Sequence, residues 1–308
     1  MISDILLAAL PLRAKILAAL RSTLDGQDFV EVEIPVRIPA PANEPHIRPP
    51  ASGNAYLRAS PELQMKQLLA AGMERIYSLG PCFREGERGN RHAPEFTMLE
   101  WYRAHSGYRE ILADAKRLVQ NAALTLRNGD ESTFQFRGAE LDLFGEWIEI
   151  PVREAFRRYA GWDPVESFNP ERFDVDMALV IEPSLPRNRP CILIDYPAPA
   201  ASLSRLSPAD SRVAERWELY LGGLELANAF GELTDPVEQR ARFEQARQEK
   251  IALGEPAFDL DEAFLAALAN MPPSGGAAMG VDRLCMVLLE LDDIANVRPF
   301  LPPIGSLW

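Results

Sequence analysis

The stretch that most limits how this chain can fold is Ile76 to Tyr102, IYSLGPCFREGERGNRHAPEFTMLEWY. β-Branched and aromatic residues mark Ile76 to Arg84, with one Gly80-Pro81 break. Glu85 to His92 is charged and carries Gly86 and Gly89, and Phe96 to Tyr102 alternates after Pro94. The pattern predicts a strand, an arginine-rich loop and a second strand. Alternation puts Phe96, Met98, Glu100 and Tyr102 on one face and Thr97, Leu99 and Trp101 on the other. The second set is core-like. The first combines a ring, a carboxylate and a phenol, and Arg84 can reach the same space. Such a face suits a ligand with phosphate, an adenine-like ring and an amine. Taken alone it suits a hairpin with a solvated polar face equally well.

A chain of 308 residues makes one large domain or two ordinary ones. Its 47% hydrophobic and 25% charged residues are ordinary for a soluble protein. No run approaches the roughly 20 apolar residues of a membrane span. The apolar N-terminus is interrupted by Asp4, Pro11, Arg13 and Lys15, and it lacks the features of a signal peptide. Cys82, Cys191 and Cys285 are scattered and match no metal spacing, and neither do the histidines, so a reducing cytoplasm is expected. A net charge of −13 argues against broad nucleic-acid binding. A local basic patch stays open, with Arg84, Arg88, Arg91 and Arg103 around the central loop.

From the N-terminus, an apolar stripe predicts a helix from Leu12 to Leu24, and Phe29 to Val36 alternates as a strand meeting Pro35. After a Pro-rich loop, Ser60 is a good N-cap and Pro61 a good first helical residue, leaving Glu62 as a first-turn acid or a ligand for an amine. Arg109 to Leu126 is an amphipathic helix. Phe134 to Glu149 reads as two short strands, residues 151–186 as helical in part, and Cys191 to Tyr196 as a buried strand. Ala214 to Leu221 and Leu224 to Phe230 form a hairpin about Gly222-Gly223. Its second arm carries Glu225, Asn228 and Glu232 in an apolar setting, costly if buried without partners. Strict alternation separates Glu225 from Glu232, so a shared site needs a bulge near Ala229 to Gly231. Asp235 to Glu238 reads as a capping box opening a charged, solvated helix. Gly275 to Arg283 reads as a small-residue turn before an apolar helix, Leu284 to Leu291. Such a turn can bring backbone N–H groups to a phosphate, though packing explains the small residues more simply.

The run FRxxxxxxxHxPEFTMLEWY, Phe83 to Tyr102, resembles motif 2 of the lysyl subgroup of class II aminoacyl-tRNA synthetases. The first helix and strand resemble motif 1, which forms the homodimer interface in that family, and Gly275 to Arg283 resembles motif 3. SPELQMKQLL resembles the amino-acid-binding segment, and Glu225 to Glu232 resembles the family run ELxNGFxE, with Ala229 in the glycine position. The resemblance covers about Arg13 to Leu291 and implies an α+β fold. That fold is the class II catalytic core, an antiparallel sheet flanked by helices, as a single domain over residues 1–308. It implies that Arg84 binds the α-phosphate and the amino-acid carboxylate, that Arg283 clamps the γ-phosphate of ATP, and that Glu225, helped by Glu232 or water, holds Mg²⁺. These roles make Arg84, Arg283 and Glu225 the expected catalytic groups. Glu85, Gly86, His92, Ala93, Phe96, Leu226 and Gly280 complete the implied ATP side. Ser60, Pro61, Glu62, Glu100, Tyr102, Asn228 and Glu232 form the implied amino-acid side, with Glu232 and Tyr102 taking the side-chain ammonium. Gly86 stands where the family has an acidic adenine contact, and Ala93 where it often has asparagine.

Only about a dozen residues precede the motif 1 helix, so no anticodon-binding domain is expected. The chain most resembles the stand-alone lysyltransferases that modify elongation factor P, including ASLSRLSxxDxRVAERWELYxxGxELAN and the alanine at 278. That resemblance implies lysine or β-lysine as substrate, ATP and Mg²⁺, elongation factor P as acceptor, no membrane and no tRNA. A truncated lysyl-tRNA synthetase and a catalytically silent paralogue are the alternatives.

Overall fold

A computed structural model describes residues 2–44, 47–130 and 132–301. Its frame is an eight-stranded sheet. In chain order the strands are β1 (Val30–Glu31), β2 (Arg75–Phe83), β3 (Glu95–Ala104), β4 (Ile148–Pro151), β5 (Cys191–Pro197), β6 (Val213–Leu221), β7 (Leu224–Gly231) and β8 (Ser274–Gly280). Their spatial order is β1-β2-β3-β8-β7-β6-β5-β4. Pairing is antiparallel from β2 through β5, with one parallel strand added at each edge. The expected hairpin is present, with Ile76 opposite Tyr102 and Cys82 opposite Phe96. The three cysteines are buried and free.

Alternation sorts the two faces of β3 as expected. Leu99 and Trp101 are fully buried in the main core. That core is covered by helices α1 (Asp4–Asp25), α3 (Tyr108–Leu126) and α6 (Val281–Leu288). Helices α2 (Glu62–Ala70), α4 (Pro236–Ala252) and α5 (Glu262–Leu268) contribute to a second cluster with Tyr102 and Phe230. The segment 151–186 folds as short α turns and two π-helical turns, around stacked Phe156 and Phe173.

Several boundaries differ from expectation for identifiable reasons. Helix α1 begins eight residues early, at Asp4, where Ser3 accepts from the Leu6 N–H. It runs through Pro11 because buried Leu6 and Ala9 lie before the proline and Ile16, Leu20 and Leu24 after it, so both halves pack. The alternating Phe29 to Val36 pairs only at Val30 and Glu31, with one more bond from the Val32 N–H to the Tyr77 carbonyl. Beyond that point Pro35 has no N–H to offer a ladder. The glycine-rich run taken as a turn is strand β8, in the middle of the sheet. A Cβ on Gly275 would meet the Gly107 carbonyl at 2.5 Å, and one on Gly276 the Tyr102 ring at 2.3 Å. Small residues here let neighbours lie against the strand. Finally, Leu219 pairs with Ala227 but Tyr220 with Glu225, so a bulge falls at Leu226. Sequence reasoning had placed it at the other end of β7.

Candidate active site

One cleft of about 970 Å³ lies on the face of the sheet that carries Phe96, Met98, Glu100 and Tyr102. That is the size of a site for a cofactor-sized ligand. At one end, carboxylates gather. Ser60 Oγ donates to Glu100 Oε1 at 2.6 Å and accepts from the Glu62 N–H at 2.9 Å; the helix starts one residue later than expected, with Pro61 as its N-cap, so Ser60 stands just outside it and reaches the site. The Tyr102 hydroxyl donates to Glu100 Oε2 at 3.0 Å. Helix α2 also brings in Lys66, whose Nζ lies 2.5 Å from Glu62 Oε1 and 2.5 Å from Glu232 Oε2. Lys66, Glu100 and Glu232 are all buried. Burial, with Glu62 nearby, pushes the Glu100 carboxyl up to about 8. Burial works against the charge on Lys66, but Glu232 and Glu62 together hold its pKa above the usual range, so the lysine stays an ammonium.

The other end is cationic. The Arg84 guanidinium lies over the Phe96 ring, 5.2 Å from its centroid, and 3.6 Å from Glu87. Arg283 donates through Nη1 to the Glu225 carbonyl at 2.9 Å and to Glu225 Oε2 at 3.2 Å, while its Nη2 lies 2.6 Å from His92 Nε2. Burial and the Arg283 charge lower the His92 pKa, so a neutral ring accepts from Arg283. Asp282, next to it, takes the Thr97 N–H and an ion pair from Arg13, which ties α6 to β3 and α1. Ala93, Leu226 and Gly280 line the cleft between these groups. Pro61, Glu85 and Gly86 do not: Glu85 donates its N–H to the Arg48 carbonyl, and Gly86 takes a φ of +77° in the loop beside the cleft.

Between the two ends, Asn228 faces Ala278 on β8, which in turn faces Glu100 on β3. Asn228 Oδ1 and Arg84 Nε are buried without a hydrogen-bond partner among the described residues, and Glu232 Oε2 touches Lys66 without a hydrogen-bonded geometry. Native interiors rarely leave such atoms unsatisfied. Several in one cleft mark where a polar ligand completes the structure.

Glu225, opposite Tyr220, shares its face of the sheet with a second acidic group, and the bulge at Leu226 turns Asn228 onto that face. The Tyr220 hydroxyl donates to Glu218 Oε2 at 2.7 Å and lies 3.4 Å from Glu182 Oε1. Burial, then Glu225 and Glu218, push Glu182 up to about 7. Sequence reasoning did not single out Glu218, which lies on the neighbouring strand outside the Glu225 to Glu232 run and joins the site through the Tyr220–Glu225 register. Among the described residues no three His, Cys, Asp or Glu side chains form a ready metal cage. Magnesium is commonly held by one or two carboxylates plus phosphate and water, and Glu225 with Glu218 fit that pattern. Glu232 is tied to Lys66 at the opposite end of the cleft. Helix α4 is not simply solvated: Gln239 and Phe243 are buried, and with Arg242 and Ala246 they wall the cleft. Arg103 is not part of the basic loop cluster, since it pairs with buried Asp114 and packs on Phe29.

A family model for tRNA synthetases class II (D, K and N) matches residues 2–302. An elongation factor P–(R)-β-lysine ligase of Haemophilus influenzae is 37% identical over 311 residues, covering 94% of this chain and 93% of the relative. The ligase of the same name from Erwinia tasmaniensis is 37% identical over 309 residues with the same coverage. A lysine–tRNA ligase of Magnetococcus marinus is 35% identical over 314 residues, covering 94% of this chain but 62% of the relative. Sequence, sheet topology and cleft therefore agree that this chain belongs to the class II tRNA synthetase family of the D, K and N type.

Proposed function

We propose that this protein activates lysine or β-lysine with ATP and transfers the lysyl group to the ε-amine of a lysine on elongation factor P. The observation that carries the reading is one cleft with buried carboxylates Glu100 and Glu232 at one end and Arg84 and Arg283 at the other. A diamino acid matches the first end and a nucleoside triphosphate the second.

Glu232 and Tyr102 take the side-chain ammonium, with Glu62, Glu100 and Ser60 near the other amine. Arg84 aligns the substrate carboxylate with the α-phosphate, and Phe96 stacks on the adenine. The carboxylate oxygen bonds to the α-phosphorus as the bond to the β-phosphate bridge breaks and pyrophosphate leaves. Arg84 and Arg283 neutralise the charge that builds on the phosphates, and no side-chain nucleophile is needed. Mg²⁺ held by Glu225 and Glu218 would supply further charge neutralisation there. The acceptor amine then attacks the acyl carbon, AMP departs with the bonding electron pair, and the amine loses a proton.

Elongation factor P is favoured over tRNA by the names of the relatives that are 37% identical to this chain, both elongation factor P–(R)-β-lysine ligases. The arginines of the central loop supply a docking surface for an acidic protein. Burial, then the charges of Arg91 and Arg187, lower the Arg137 pKa. We further propose a cytoplasmic homodimer of single-domain subunits. Exposed Ile5, Leu7 and Leu12 on α1 and Val30 on β1 give the apolar contact surface that a motif 1 interface needs. Exchange of labelled pyrophosphate into ATP tests the activation step. Stimulation by lysine or β-lysine is the expected result, and absence of exchange with both would overturn the reading.

A further inference from the structure

The loop between the first helix–strand unit and α2 carries Glu44 into the cleft, on the wall formed with Ser60 and Glu62. The loop is held there on both sides. Asn43 is buried and exchanges two 2.9 Å hydrogen bonds with the Phe258 backbone. The Lys250 ammonium donates to the Ile47 carbonyl at 2.8 Å, and the Glu85 N–H donates to the Arg48 carbonyl at 2.8 Å. The loop thus joins the segment after α4 to the arginine-rich loop, with Glu44 pointing inward between them.

Glu44 lines the cleft beside Ser60 and Glu62 of the amine end, and Arg84, which is proposed to meet the substrate carboxylate, lines the same cleft. The second amine of any lysine isomer lies between its terminal ammonium and its carboxylate, because it is borne on the carbons between them. Unlike Glu44, the other carboxylates of this end are also tied to protein groups. Glu100 accepts from Ser60 and Tyr102 on its two oxygens, and Glu62 and Glu232 share Lys66. Glu44 makes no hydrogen bond or ion pair to any other described residue, and its side chain is only half-buried, open to the cleft.

We propose that Glu44 is a substrate-binding residue that recognises the α- or β-amine of the lysine substrate and so helps to set which isomer is accepted. The inference rests on the proposed function and adds to it a contact that neither the motifs nor the relatives' names indicate. A loop-borne carboxylate suits this role, because the amine position differs by one carbon between the isomers while the two ends of the molecule stay fixed.

The test is pyrophosphate exchange by wild type and Glu44→Gln with α-lysine, (R)-β-lysine and 6-aminohexanoate. The last keeps the carboxylate and terminal ammonium but lacks the second amine. Loss of one charged partner should lower kcat/KM for the lysine isomers by about 10- to 100-fold, while exchange with 6-aminohexanoate stays at the wild-type level and shows that the variant is folded. Equal loss on all three substrates, or no loss on any, would overturn the assignment of Glu44. Wild type that activates neither lysine isomer would overturn the proposed function and this inference with it.

Discussion

Arg84 and Arg283 form the cationic end of the cleft, each braced by a neighbour, Phe96 or Glu225, and the proposed function gives both a phosphate to meet. Replacing either by alanine should cut pyrophosphate exchange by on the order of 10²–10³-fold with the melting temperature little changed. Near-normal exchange in either variant would remove it from the phosphate site. The buried carboxyl of Glu100, raised to about 8, and the half-buried carboxyl of Glu44, raised to about 7, hold protons near neutrality in the free protein. A substrate ammonium requires them ionised. Lysine affinity should therefore rise between about pH 6 and about pH 8, with up to about one proton released per carboxyl that ionises. The sign for stability is opposite. Groups whose folded pKa is raised favour the fold at low pH, and that contribution is lost as pH rises through 7 to 8. Calorimetry in buffers of different ionisation heat reads the released protons, and a pH-independent affinity would contradict this. At this scale the sequence revealed the residues that motifs carry, such as Glu62, Glu100 and Glu232. Lys66, Glu218 and Glu44 were not legible, because their roles depend on contacts between elements: Lys66 with Glu232, Glu218 with the Tyr220 hydroxyl beside Glu182, and Glu44 with the Asn43–Phe258 clamp.

At the scale of elements, the hairpin Arg75 to Ala104 and the pair β6–β7 were legible because period-two alternation and the Gly222-Gly223 turn are local signals. Strand β8 was not, since a run of glycine and alanine carries no alternation and its place is decided by what packs on it. That packing can be tested. Gly276→Ala would put a methyl 2.3 Å from the Tyr102 ring and 2.5 Å from Glu232 Oε1. It should destabilise the fold by about 1–3 kcal/mol and displace the ammonium pair, with loss of lysine-dependent exchange. Unchanged melting and unchanged exchange would show that β8 does not set the floor of the pocket. The edge strand β1 was read as eight residues and pairs over two, because alternation reports which side is apolar and not whether a partner strand is present.

At the scale of the molecule, the class II core was legible from motif order alone, and residues 2–302 match the family model. What motif order leaves open is assembly and acceptor. The exposed apolar residues of α1 and β1 should be covered in a homodimer, seen as twice the 34.3 kDa chain mass in sedimentation at micromolar concentration. A monomer would mean that these side chains stay in water. The acceptor is the central claim, and one measurement tests it most directly. The protein is incubated with ATP, Mg²⁺ and lysine or β-lysine, with elongation factor P and lysine tRNA present together, and the mass of each acceptor is then read. The expected result is elongation factor P heavier by one lysyl group on a single lysine, with the tRNA uncharged. Lysyl-tRNA with unmodified elongation factor P would contradict it.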